Sequence, residues 1–98
     1  MAKYIVVVGG GINGLICAFY LRRAGFEVTL LERASQVGGA CIAESAEING
    51  QTFEFSSGAT VFGVMQRFIF EETGLAKRVT LHGPKHPKII WHDALEHP

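Results

Sequence analysis

Five consecutive apolar positions, Tyr4-Ile5-Val6-Val7-Val8, begin the readable pattern of this chain. A continuous run of this length, rich in β-branched residues, predicts a parallel strand buried on both faces. It stops at Gly9-Gly10-Gly11, which predicts a turn. Over residues 13–24 the apolar Leu15, Ala18, Phe19 and Leu21 recur at helical spacing, so a helix follows. Gly25 is its natural stop, because glycine takes a left-handed C-terminal position without steric cost. Glu27–Leu31 reads as a second short strand. Strand, helix and strand within about thirty residues make a βαβ unit, whose crossover is expected to be right-handed.

The pattern then changes. Residues 33–39 read as a loop. Residues 40–48 and 51–55 read as strands flanking Asn49-Gly50, a dipeptide suited to a type I′ hairpin turn. Ser56-Ser57-Gly58 breaks the second of them. Residues 64–73 form a candidate helix, with Val64, Met65, Phe68 and Ile69 on one side and Gly74 as its stop. Residues 79–81 and 88–91 are candidate strands, separated by a segment containing Gly83-Pro84. The predicted class is α/β: an N-terminal βαβ unit, then a β-hairpin and a helix, with an incomplete sheet.

Length and composition narrow the picture. Ninety-eight residues make one small domain at most, with limited capacity to bury a core. Yet 48% of the residues are apolar and 18% charged, against about 25% charged in soluble domains. That balance predicts a chain that packs against something else. The formal net charge is zero, so no imbalance points to nucleic acid or an anionic membrane. Arg22-Arg23 and Lys77-Arg78 read as solvated helix ends. Cys17 and Cys41 do not make a disulfide framework. Cys17, among apolar residues, is expected to be a buried inert thiol. A reducing, cytoplasmic setting is expected. No signal peptide is visible after Met1-Ala2-Lys3, and no apolar run approaches the roughly 18 residues that span a bilayer.

The candidate chemistry lies in the glycines. Gly9-Gly10-Gly11-Ile12-Asn13-Gly14 fits G-x-G-x-x-G, with a strand before it and a helix after it. Gly9 permits the tight turn out of the strand. Gly11 lacks the Cβ that would keep a pyrophosphate from the backbone, and Gly14 lets the helix pack closely. Ala18, small and one turn further on, assists that approach. The helix N-terminus offers free N–H groups to phosphate, and Asn13 can add a side-chain donor. Glu32 ends the second predicted strand, where a carboxylate accepts hydrogen bonds from adenosine ribose hydroxyls and repels a 2′-phosphate. These residues predict a dinucleotide site without separating NAD from FAD. Gly38-Gly39 follows after a short loop.

The stretch from Val6 to Leu15, with Ala18, Leu21, Gly25, Val28, Glu32 and Gly38-Gly39, resembles a flavoprotein group. That group comprises phytoene desaturases, protoporphyrinogen oxidases and flavin-containing amine oxidases. Thr52-Phe53-Glu54-Phe55-Ser56-Ser57-Gly58-Ala59-Thr60-Val61 resembles its "F-D-x-G-P-T-V" segment, and residues 68–75 resemble the helix that follows. The resemblance covers residues 3–75. It implies a Rossmann-like FAD-binding domain and hydride transfer from a substrate carbon to the flavin. It places Gly11, Asn13 and Gly14 at the pyrophosphate, Glu32 at the ribose and Arg33 near the adenine, with Gly9 and Ile12 also among the cofactor-binding residues. Gly39 and Ala40 would line the approach to the phosphates, and Gly58 and Ala59 join the candidate cofactor residues. Ala40 stands where many members have arginine, and Ser56 where an aspartate is usual. The implied division is residues 1–39 as the βαβ dinucleotide-binding unit and 40–98 as the start of the adjoining FAD and substrate region.

Other residues carry less. His82 and His86 have the spacing of two ligands on one helix face, but Gly83-Pro84 and Pro87 break any helix there and Gly83 replaces the glutamate of a zincin motif. No metal is expected. His92-Asp93 are neighbours that a strand would point to opposite faces. Cys41 follows the glycine pair and so lies in reach of the cofactor, but is expected first as a small packed residue. Phe53, Phe55, Phe62, Phe68, Phe70 and Trp91 are read as core before cavity lining. No residue stands out as a catalyst. Proteins of the group are several times longer, so the chain is expected to be a subunit or fragment of a flavin-dependent oxidoreductase, completed by a second polypeptide acting on a small-molecule substrate. Two alternatives stand beside this: a fragment of an NAD-dependent dehydrogenase, and a non-catalytic nucleotide-binding module.

Overall fold

The computed structural model describes residues 3–59, 65–83 and 85. Its elements run β1 (Tyr4–Val8), α1 (Ile12–Arg23), β2 (Glu27–Leu31), β3 (Ala43–Ile48), β4 (Gln51–Ser56) and α2 (Arg67–Glu72), with a 3₁₀ turn over Leu75–Lys77. β1 and β2 pair in parallel, with Tyr4 opposite Glu27 and Val8 opposite Leu31. The pairing is extended at both ends: Glu27 N–H donates to the Lys3 carbonyl (2.9 Å), and Gly9 N–H to the Leu31 carbonyl (2.7 Å). Parallel neighbours need a crossover, and α1 supplies it.

The end of α1 follows from its sequence. Gly25 has φ +96°, the left-handed conformation its position requires. Gly25 N–H donates to the Arg22 carbonyl (3.0 Å) and Phe26 N–H to the Leu21 carbonyl (3.1 Å). These two bonds form a Schellman motif, which satisfies carbonyls the helix would otherwise leave open. Arg22 and Arg23 in the last turn complement the negative end of the dipole.

β3 and β4 form an antiparallel hairpin with Ile48 opposite Gln51. Asn49 (φ +51°) and Gly50 (φ +77°) both take the left-handed region, as a two-residue type I′ turn demands. The register places Ala46, Ile48, Phe53 and Phe55 on one face, and Ser45, Glu47, Thr52 and Glu54 on the other. At its open end the hairpin closes against the loop before it, where Ala59 N–H donates to the Ala40 carbonyl (3.0 Å). The Ser56 hydroxyl donates to the Ala59 carbonyl (2.5 Å). α2 then touches the far half of α1: the Tyr20 hydroxyl donates to Glu72 Oε2 (2.5 Å), and Arg23 lies 3.4 Å from the same oxygen.

Several expectations are corrected. β1 is not buried on both faces. Ile5 and Val7 are half-buried beside α1, whereas Tyr4, Val6 and Val8 are 77%, 58% and 82% exposed. A continuous apolar run records two faces built for burial, and the described residues cover one. Cys17 is exposed, because it shares the outer side of α1 with Asn13, one turn earlier. Residues 40–42 do not join β3, since Cys41 N–H turns back to the Gly38 carbonyl (2.9 Å). Helix α2 starts at Arg67 rather than in the run before it. Residues 79–81 carry no strand, and Val79 and Leu81 are exposed. Residues 88–91, together with Val64, Phe62, Trp91, His86, His92 and His97, lie outside the described residues. Among those described, no apolar side chain is buried; Gly10 and Gly38 are the buried residues.

Glycine 14 tests the packing directly. A Cβ there would lie 1.9 Å from the Gly9 carbonyl oxygen. Replacement Gly14→Ala must move helix or turn backbone, and is expected to destabilise by about 1–3 kcal/mol. Gly83→Ala, with nothing within 4 Å of the added carbon, is expected to be neutral. Thermal unfolding followed by circular dichroism separates the two.

Candidate functional site

The site begins where the chain leaves β1. Gly9 turns with φ +103°, a conformation costly for a residue with a side chain. The next two glycines then meet the second glycine cluster. Gly38 N–H donates to the Gly10 carbonyl (2.8 Å). A Cβ on Gly39 would lie 3.1 Å from the Gly11 Cα, so the two backbones touch with no room between them. Gly38 (φ +130°) and Gly39 (φ +58°) both need glycine's freedom.

A cleft of about 440 Å³ opens at this junction, lined by Val8, Gly9, Gly11, Ile12, Asn13, Gly14, Gly38, Ala40 and Cys41. The first turn of α1 forms one wall. Its N-cap is Gly11, which offers no side-chain acceptor, and no acidic residue lies in the first turn. The N–H groups there have no intrahelical partner by the geometry of a helix end. The cleft therefore presents backbone donors and the positive end of a helix dipole, with no carboxylate on its walls. Such a concavity suits an anion.

Glu32 stands behind this turn. Its Oε1 accepts the Gly10 N–H and its Oε2 accepts the Ala34 N–H, each at 3.1 Å. Those bonds, the Ala34 one foremost, hold its carboxyl below the ordinary carboxylate value, with a smaller contribution from Arg33. Each carboxylate oxygen keeps a second lone pair for another donor.

Of the residues singled out in the sequence, Gly9, Gly11, Ile12, Asn13, Gly14 and Ala40 line the cleft, and Gly39 touches Gly11 at its edge. Gly58 and Ala59 stand behind Ala40: a Cβ on Gly58 would lie 2.6 Å from the Ala40 carbonyl oxygen. Glu32 lies against Gly10, whereas Arg33 is exposed and outside the cleft lining. Four residues outside that set also contribute. Val8 and Cys41 line the cleft, with Cys41 exposed rather than packed. Gly10 and Gly38 carry the contact between the clusters. Gly10 occupies a free position of the fingerprint, yet a Cβ there would meet Val37 at 2.9 Å, Leu30 at 3.1 Å and Glu32 at 3.2 Å. The run of three glycines is the one signal that points to it.

A pH dependence follows. Glu32 titrates lower in the folded chain than its ordinary 4.5, so the native state favours its charged form. Its stabilising contribution is complete above that value and is lost as the pH falls through the lowered one. Glu32→Gln is expected to flatten the acid limb of stability as the pH falls below 4.5, while changing its slope little near neutrality. Denaturant midpoints measured across that range check it.

The family described as "NAD(P)-binding Rossmann-like domain" matches residues 7–68. A carotenoid 3,4-desaturase from Haloarcula japonica is 43% identical over 67 residues, covering 65% of this chain and 13% of that protein. A flavin-containing monooxygenase from Aspergillus flavus is 50% identical over 40 residues, covering 41% and 10%. Among solved structures, a fatty acid isomerase from P. acnes that produces CLA superposes with a TM-score of 0.59 at 32% identity, covering 86% of this chain and 19% of that one. The chain spans 8–14% of the length of the curated relatives it matches. No described helix is long and apolar enough to cross a membrane. With the glycine turn, the parallel βαβ unit and this match in agreement, the chain belongs to the NAD(P)-binding Rossmann-like domain family.

Proposed function

We propose that this chain is the FAD-binding N-terminal part of a flavin-dependent oxidoreductase, desaturase-like or amine-oxidase-like. The observation that carries the reading is the cleft at the glycine junction, where an uncapped helix N-terminus meets two abutting glycine backbones. A pyrophosphate fits that chemistry, because the walls supply N–H donors, carry no acidic group and, at Gly9, Gly11, Gly14 and Gly38, present bare backbone. In this reading Gly9, Gly11, Ile12, Asn13 and Gly14 hold the pyrophosphate, with Gly39 and Ala40 opposite. Glu32 accepts ribose hydroxyls with its remaining lone pairs, and Arg33 lies toward the adenine. Gly58 and Ala59 set the position of Ala40 through the Ala59–Ala40 bond. Residues 1–39 are then the dinucleotide-binding unit, and 40–98 the start of the FAD and substrate region.

When bound, a flavin would supply the hydride-transfer chemistry. The chain's own residues bind and orient the nucleotide end. Among the described residues, no carboxylate or histidine lines the cleft. A larger protein supplies the remainder: the relatives are several times longer, and the exposed Tyr4, Val6, Val8 and Leu31 make an apolar face for another layer. A second polypeptide, in a reducing and cytoplasmic setting that suits two free thiols, completes the reading.

The family's description supports a second reading, a nicotinamide dinucleotide at the same cleft. One preparation distinguishes them. Isolated with its accompanying chains, the protein is expected to be yellow, with the visible absorption band of oxidised flavin, and to release FAD on heating. A colourless preparation releasing NAD sinks the flavin reading. Retained nucleotide without redox turnover, every co-purifying chain being present, favours a non-catalytic module.

A further inference from the structure

We infer that Glu32 is a positioning residue of the phosphate-binding turn, acting on the pyrophosphate through the backbone of Gly10 as well as on the ribose. The inference rests on the dinucleotide reading of the cleft. Its own observation is the pair of 3.1 Å bonds from the Gly10 and Ala34 N–H groups to the two oxygens of one carboxylate. Gly10 lies between the two glycines that line the cleft, Gly9 and Gly11. Its N–H is held by Glu32 and its carbonyl by the Gly38 N–H, so both polar groups of one peptide residue are committed. The Ala34 bond fixes the carboxylate itself, just after β2 and before the loop that leads to Gly38. Glu32 thus joins the end of β2 to the turn after β1 and sets the height of Gly11 against Gly39.

The geometry has a second consequence for charge. The carboxylate is turned onto N–H donors behind the turn, and no carboxylate lines the cleft. A bond to an ionised acceptor is stronger than one between neutral groups, so an amide at this position holds the turn less firmly. An amide nitrogen would also face one of two N–H donors with a donor of its own.

A ligand without ribose hydroxyls isolates the positioning role. Binding of ADP and of 2′,3′-dideoxy-ADP is measured by calorimetry on the unmodified protein, on Glu32→Gln and on Glu32→Asp. The aspartate keeps the charge but is one methylene too short to reach both N–H groups. Both variants are expected to weaken 2′,3′-dideoxy-ADP about tenfold or more. Amide exchange is expected to quicken at Gly10 and Gly38 and to stay unchanged in the β3–β4 hairpin. Loss of ADP affinity with 2′,3′-dideoxy-ADP unaffected overturns the inference, leaving Glu32 a ribose acceptor alone. Unfolding of both variants overturns it too, making Glu32 a residue of the fold at large. Failure of the unmodified protein to bind either nucleotide falls instead on the cofactor reading beneath it.

Discussion

Two peptide backbones meet where Gly10 and Gly11 face Gly38 and Gly39, and the cleft is a by-product of that meeting. Only glycines allow it: a single Cβ on Gly39 would press on the Gly11 Cα, and one on Gly10 would strike Val37. The contact is also polar, sealed by the Gly38–Gly10 bond. Among the described residues no apolar side chain is buried, and Gly10 and Gly38, one from each side of this contact, are the buried residues. Order at the site therefore rests on hydrogen bonds and on missing side chains more than on an oily core. Such an arrangement is directional: a small displacement of one backbone breaks a bond instead of sliding one surface over another.

Much of this was readable from residue types. The β1–α1–β2 order, the left-handed Gly25 and the two-residue hairpin turn each follow from a local rule about glycine or apolar spacing. The cleft glycines follow from their fingerprint. What escaped the sequence is what depends on residues distant along the chain. Gly10 fills a position that a motif leaves free, and its burial is visible only once Val37 and Leu30 lie beside it. Glu32 reads as a ribose acceptor from its place at a strand end, but its partners come from a turn 22 residues earlier and from Ala34. The apolar run of β1 reported two faces suited to burial and could not say which layer covers each. Cys17 is exposed where a buried thiol is expected for a similar reason: a sulfur's burial depends on its neighbours in space.

The cleft also depends on the segment that does not belong to the βαβ unit. Ala40 sits on its wall, and its carbonyl accepts the N–H of Ala59 on the far side of the hairpin. Residues 43–56 are thus an excursion that returns to its starting point, closed by Gly58 packing where no larger residue fits. The hairpin delivers an amphipathic face while leaving the cleft's geometry to its two stems.

The contact between Tyr20 and Glu72, which are 52 residues apart, has a similar meaning on a larger scale. It brings the chain after the hairpin back to the helix that precedes it, so everything between forms a closed loop on a fixed base. The entropy of closing such a loop rises only with the logarithm of its length. Segments added at the tip, beyond Asn49 and Gly50, would therefore cost the nucleotide end little. A protein built this way can lengthen or reshape its outer surface, where substrates differ, while the turn that grips a shared cofactor stays as it is.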